Sequence, residues 1–247
     1  MFSKSHTKYI QSLHYKKFRD EYGVFIAEGP KVVEELLLED NMTCREIFSL
    51  PSWLHTNQQL LGEKNVEQVY ELKDFELEKI SALASPNQVL AVFEKKETSN
   101  HVSLEGKITI ALDAIQDPGN MGTMVRTADW FGIENINCSP ACADMYNPRV
   151  VQSTMGSLAR VDIRYGDLPQ FLKDNKQIKT YAATLDGKDI KLFPPMKEGI
   201  IIIGNESKGI SKEVLQLTHA KISISKKGHA ESLNAGVAMG IILSHFL

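Results

Sequence analysis

The sequence has no apolar run approaching the roughly 18 residues that a membrane-spanning helix needs. Its longest, around Ile200–Ile203, reads as a buried strand. Cysteine is scarce, at three residues (Cys44, Cys138 and Cys142), which excludes a disulfide framework. Cys138 and Cys142 suggest a metal pair, but no second Cys or His pair at zinc spacing accompanies them. Free thiols in a reducing cytoplasm, and no metal, are the expectation. Neither sign of charge dominates: the net charge of −3 excludes a wholly basic nucleic-acid coat. The N-terminus, Met1-Phe-Ser-Lys-Ser-His6, lacks the apolar core of a signal peptide, so a cytoplasmic protein is expected. Internal repeats and low-complexity segments are absent as well.

What is present is an ordinary globular composition, 43% hydrophobic and 24% charged over 247 residues. That length suffices for one large or two modest domains with a substantial core. The spacing predicts a helix over 4–19, a strand at Val24–Ala27, a turn at Glu28-Gly-Pro30 and a helix carrying Val32, Val33, Leu36 and Leu37. Strand-like stretches at 46–50, 66–70 and 89–93 complete a small α/β unit over residues 1–96. A polar stretch over 97–106 reads as a linker. In 107–247, apolar strands at 107–112, 136–138, 180–184, 199–204 and 221–225 alternate with helices, the last over 232–247. Alternating strands and helices predict α/β architecture with a doubly wound parallel sheet.

The first nineteen residues hold Lys4, Lys8, Lys16, Lys17 and Arg19 with no acid, interleaved with Phe2, Tyr9, Tyr15 and Phe18. Cations among aromatics grip phosphates and stack on bases. A solvated amphipathic helix has the same composition, and the pattern alone leaves both readings open.

Three motifs follow in order, each where a strand or loop gives way to a helix: Asn120-Met-Gly-Thr-Met-Val-Arg126, Gly204-Asn-Glu206-Ser-Lys-Gly209 and Ser232-Leu-Asn234. Such junctions expose backbone amides and bind ligands. The first is not a Walker loop, since no Gly-Lys-Ser/Thr follows, and Gly119-x-x-Gly122 has the wrong spacing for a dinucleotide fingerprint. Asn120 can cap its helix, and Arg126 lies on roughly the same face, placed either to fork onto a phosphate or to form an ordinary ion pair. Glu206, a charge at the end of an apolar strand, needs a partner, for which Arg126 or a helix terminus would serve. Ser232 is placed to cap the last helix, with Asn234 inside its first turn. Ala235, Gly236, Ala238 and Gly240 give that helix a thin side suited to tight packing.

Together these motifs resemble the SpoU (TrmH-like) family of RNA 2′-O-ribose methyltransferases in the SPOUT superfamily, over about residues 105–247. The stretch from Phe25 through Glu28-Gly-Pro-Lys31 is similar to the family's accessory RNA-binding domain. The resemblance implies a deep trefoil knot, an S-adenosylmethionine (SAM) site within it, and a homodimer that completes the active site. It assigns Asn120, Arg126, Glu206, Ser232 and Asn234 to the catalytic cluster. It assigns the backbone at Gly204, Ile224 and Leu233 to adenosine, with Thr184, Leu185, Asn205 and Gly209 lining the same pocket. The substrate implied is ribosomal RNA, with transfer RNA as the nearest alternative and a non-catalytic RNA-binding assembly factor as the rival class. One departure stands out: where the family often reads Ile-Pro-Met, this chain has Ile224-Ser225-Lys226, followed by a basic Lys227-Gly-His229.

Overall fold

The computed structural model describes residues 3–64, 66–96 and 103–247; residues 97–102 of the expected linker lie outside the described residues. The chain divides into two compact units. One comprises residues 1–97 and 144–159, the other 98–143 and 160–247.

The first unit carries β1 (Val24–Glu28), β2 (Cys44–Ser49), β3 (Gln68–Glu71) and β4 (Val89–Glu94) in the order β1-β4-β2-β3. β4 runs antiparallel to both of its neighbours, while β2 and β3 are parallel. All five residues of β1 are buried. One face is sealed by Ile10, Leu13, Phe48, Leu77 and Ile80, which cluster with Val24, Ile26, Leu90 and Val92. A segment distant in sequence joins this unit: the helix Pro148–Thr154 packs on β1, and the Tyr146 ring lies 4.8 Å from that of Phe25.

The helix expected over 4–19 is two helices, Lys4–Ser12 and Lys16–Tyr22. Arg19 accounts for the break. Its guanidinium donates to the carbonyls of Leu13 at 3.0 Å and His14 at 2.9 Å, and pairs with Asp144 at 2.7 Å. Carbonyls at a helix end lack partners within the helix, and a fork of donors supplies them. Arg19 is only 2% exposed, which removes it from the set of RNA contacts expected from its sequence neighbourhood.

The second unit is built on β5 (Ile108–Asp113), β6 (Asn135–Cys138), β7 (Asp162–Tyr165), β8 (Thr180–Asp189), β9 (Gly199–Gly204) and β10 (Ala220–Ser223). Their order is β10-β8-β9-β5-β6-β7, with every pairing parallel. β5 is buried throughout and β9 in all but its last residue, as central strands covered on both faces must be. β7 was not expected, because only Ile163 of its four residues is buried and the strand carries little apolar signal. β8 runs past its expected end. Lys221 pairs with Ala182 but Ile222 with Lys188, so residues 183–187 bulge out between.

Because β5, β8, β9 and β10 are parallel, their carboxyl ends emerge on one edge of the sheet. The chain leaves β5 towards β6 and β7, then crosses to β8 and β9 on the other side. The gap between β5 and β9 is therefore a topological switch point, where ligands bind in open α/β sheets.

Replacing Arg19 with alanine leaves Asp144 Oδ2 and the carbonyls of Leu13 and His14 without their guanidinium donor. Arg19→Ala is expected to lower stability by about 3–5 kcal/mol, read by urea denaturation; an unchanged midpoint would refute this role.

Candidate active site

The first motif begins with a strained turn. Ala114, directly after β5, has φ of +56°, in the left-handed region. Its conformation is held from both sides: its amide donates to Ser139 Oγ at 2.8 Å and its carbonyl accepts Asn205 Nδ2 at 2.9 Å. Non-glycine residues persist there only when their surroundings over-determine them, commonly at functional sites. Cys142 supports the next residue, accepting from the Ile115 amide at 3.3 Å and donating to the Leu112 carbonyl at 3.2 Å. The thiols of Cys138 and Cys142 are free and buried. A hydrogen bond between them raises Cys138 well above its ordinary range and, against burial, lowers Cys142 to about 7. Among the described residues no group of three or more His, Cys, Asp or Glu could hold a metal ion.

The following helix spans Pro118–Trp130, and its N-cap is Asp117, not Asn120; Asp117 Oδ1 accepts the Asn120 amide at 2.7 Å. This frees the Asn120 side chain for another task. Its Nδ2 donates to Glu206 Oε1 at 2.5 Å, and its Oδ1 accepts Asn234 Nδ2 at 2.8 Å. Asn120 thus joins all three motifs. Glu206 is exposed, so its charge does not need a buried partner, and its side chain meets Asn120, not Arg126. Arg126, two turns along the same helix, is exposed and makes no hydrogen bond or ion pair among the described residues.

The second motif is a tight reversal after β9. Asn205 and Gly209 exchange backbone hydrogen bonds of 3.1 and 2.9 Å, while Asn205 Oδ1 accepts the amides of Ser207 and Lys208. A Cβ on Gly204 would lie 2.5 Å from the carbonyl carbon of Gly209, so only glycine fits there. The end of the reversal is tied to β5, since Asp113 Oδ2 accepts the Ser211 amide at 2.8 Å. Sequence reasoning gave Asp113 no role, although an acid closing a buried, largely apolar strand is itself a signal.

In the third motif the last helix begins at Ala235, and its N-cap is Asn234, whose Oδ1 accepts the amides of Gly236 at 3.0 Å and Val237 at 3.2 Å. Ser232, expected at that cap, lies before the helix and is exposed. The thin side of the helix packs as expected: a Cβ on Gly236 would stand 3.2 Å from Thr123 Cγ2. Ile224 and Leu233 flank the basic loop between β10 and the last helix, and Thr184 and Leu185 lie in the β8 bulge. Ser225 donates its hydroxyl to Asp189, and this bond, ahead of the Lys191 amide, holds the Asp189 carboxyl below its usual range. That bond links the end of β8 to the residues just after β10.

Residues 107–244 match the model of the SpoU rRNA methylase family. The chain belongs to the SpoU rRNA methylase family. Residues 4–91 match an MRM3-like substrate binding domain. This SpoU chain is 30% identical, over 95% of its length and 93% of the relative's, to the 23S rRNA (guanosine(2553)-2′-O)-methyltransferase RlmP of Bacillus subtilis. Among solved structures, a TrmH-family protein of Porphyromonas gingivalis is similar at 33% identity and a TM-score of 0.88, over 100% of this chain and 98% of that one. The AdoMet-bound rRNA methyltransferase from Sinorhizobium meliloti is similar at 27% identity and a TM-score of 0.85, over 99% and 95%.

In the first unit of this SpoU chain, Lys4, Lys8, Lys16 and Lys17 are exposed, unlike Arg19. Lys16 pairs with Asp20 one turn away at 2.8 Å.

Asn234→Ala removes both a cap and the link to Asn120. A loss of about 0.5–2 kcal/mol is expected, measured by denaturation, whereas Asn234→Ser is expected to keep most of the stability because serine caps equally well. Equal losses in the two variants would show that capping is not the stabilising role.

Proposed function

We propose that this protein transfers a methyl group from SAM to a ribose 2′-hydroxyl of ribosomal RNA, acting in the cytoplasm. The observation that carries the reading is the hydrogen-bonded line Glu206–Asn120–Asn234 at the switch point between β5 and β9, with the unpaired Arg126 on the same helix as Asn120.

The residues assigned to SAM fit such a ligand. The close approach of Gly204 to Gly209 leaves bare backbone at the strand end. Leu185 and Leu233 stand 79% and 46% exposed, apolar surface that a bound nucleoside would cover. Gly204, Asn205, Gly209, Ile224 and Leu233 would hold the adenosine, with Thr184 and Leu185 closing over it. SAM supplies an electrophilic methyl group on a sulfonium.

The chain's own residues supply alignment and charge. Arg126 resists deprotonation, so its task is not that of a simple base. Its guanidinium grips the phosphate beside the target ribose, orients the 2′-hydroxyl and stabilises the alkoxide that develops there. Asn120, fixed between Glu206 and Asn234, holds the ribose edge of the site in register. Ser232, exposed and free of other partners, positions the sugar or the methionine end.

The deep trefoil knot and the homodimer belong to the same proposal. Supporting the knot, the chain passes from β9 across β8 to β10 and returns to pack its last helix on Pro118–Trp130. Supporting the dimer, those two helices expose Trp130 (85%), Val237 (52%) and Ile241 (39%), more apolar surface than a lone subunit favours.

Arg126→Ala is expected to reduce methyl transfer to ribosomal RNA at least 100-fold, the scale of losing one oxyanion-stabilising donor. SAM affinity by calorimetry is expected to stay within twofold, about the precision needed to separate the roles. Parallel loss of both would overturn the assignment of Arg126.

A further inference from the structure

A second concave site lies wholly within the first unit, beside the run of cations and aromatics in the first nineteen residues. It is a groove of about 550 Å³ lined by Gln11, His14, Tyr15, Phe18, Lys79 and Ser81, together with Ser12. That volume falls in the range of pockets that hold small organic ligands. No lining residue is acidic, and Lys79 brings a positive charge.

The groove is built, not incidental. Two side chains of one wall bond to the helix end that forms the other: Gln11 Nε2 donates to the Lys79 carbonyl at 2.7 Å, and His14 Nε2 to the Ile80 carbonyl at 2.9 Å. The remaining ring nitrogen of His14, Nδ1, is buried and has no hydrogen-bond partner. Behind the opposite wall, Ser81 Oγ donates to the buried carboxylate of Glu28. Arg19, bonded to the Leu13 and His14 carbonyls and to Asp144, fixes the helix break from which His14 and Tyr15 project.

Aromatic rings and ammonium groups stand side by side at the groove and its margin. Tyr15, in the lining, is 68% exposed. Outside the lining, Phe75, 52% exposed, has its ring centre 5.0 Å from Lys79 Nζ, and Lys17 Nζ lies 5.7 Å from the centre of the Phe18 ring. Aromatic faces beside ammonium groups are what sequence-tolerant single-stranded nucleic-acid sites use: the ring stacks on a base and the cation meets its phosphate.

We propose that this groove holds one unstacked nucleobase of the RNA substrate, with Tyr15 as the stacking face and Lys79 on the adjoining phosphate. The proposal rests on the reading of the chain as an RNA methyltransferase. It assigns the first unit a specific contact in place of a diffuse basic surface, and it makes Arg19 a positioning residue for that contact.

The test measures binding of the full-length protein to 23S ribosomal RNA by filter retention across a salt series, with methyl transfer and SAM affinity recorded alongside. Tyr15→Ala is expected to weaken RNA binding about 5- to 150-fold, the range for loss of one base stack. Tyr15→Phe, which keeps the ring, is expected to bind like the parent, and SAM affinity is expected not to change in either variant. Lys79→Gln is expected to reduce the logarithmic salt slope by about one phosphate contact. Parental affinity in Tyr15→Ala would overturn the proposal, and is the result expected if the groove instead docks a protein. RNA binding that depends on Tyr15 without methyl transfer by the parent would leave the groove standing and sink the enzymatic reading. Absence of RNA binding by the parent would overturn both.

Discussion

The carboxamide of Asn120 is the joint on which the site depends. It has one donor group and one acceptor to offer, and both are used: the donor goes to Glu206 and the acceptor to Asn234. These three residues come from three strand-to-helix junctions far apart in sequence. An amide can bridge a carboxylate and another amide in this way, whereas a carboxylate in its place would repel Glu206. The rest of the junction geometry serves that arrangement. Asp117 takes over the cap and releases Asn120, Asp113 ties the second junction to β5, and Asn234 uses its own oxygen to start the last helix. Arg126 lies further along the same helix, exposed and without an ion pair among the described residues.

Backbone approach sets the other half of the site. Ala114 sits in a left-handed conformation because Ser139 and Asn205 hold it there, and Gly204 meets Gly209 too closely for any side chain. Both features lie at the carboxyl ends of adjacent strands. The buried isoleucines of β9 make those ends rigid, since close-packed interiors deform little. A scaffold of this kind suits a reaction in which the protein contributes alignment and fixed charge, while the methyl donor carries the reactivity.

Much of this was legible in the sequence, for identifiable reasons. β9 shows itself as a run of isoleucines, and the three motifs show themselves because each is a short local pattern at a junction. What could not be read there depends on contacts between distant residues. Asn234 in place of Ser232 as the cap, and Asp117 in place of Asn120, were decided by competition among neighbouring polar side chains that all favour caps. β7 is short and half-polar, and the second half of β8 exists only because β10 pairs with it after a bulge. Arg19 is the clearest instance. Among five cations in nineteen residues nothing distinguishes it locally, yet Asp144, more than a hundred residues away, draws it into the interior. The groove beside it was equally invisible, because its walls come from helices separated by some sixty residues.

The measurement that tests the account most directly is transfer of radiolabelled methyl from SAM to ribosomal RNA lacking this modification, followed by alkaline hydrolysis. A 2′-O-methyl group blocks cleavage at its own linkage, so the account predicts label in a single alkali-resistant dinucleotide from one ribosomal RNA. Label released in mononucleotides would place the methyl on a base and contradict ribose transfer.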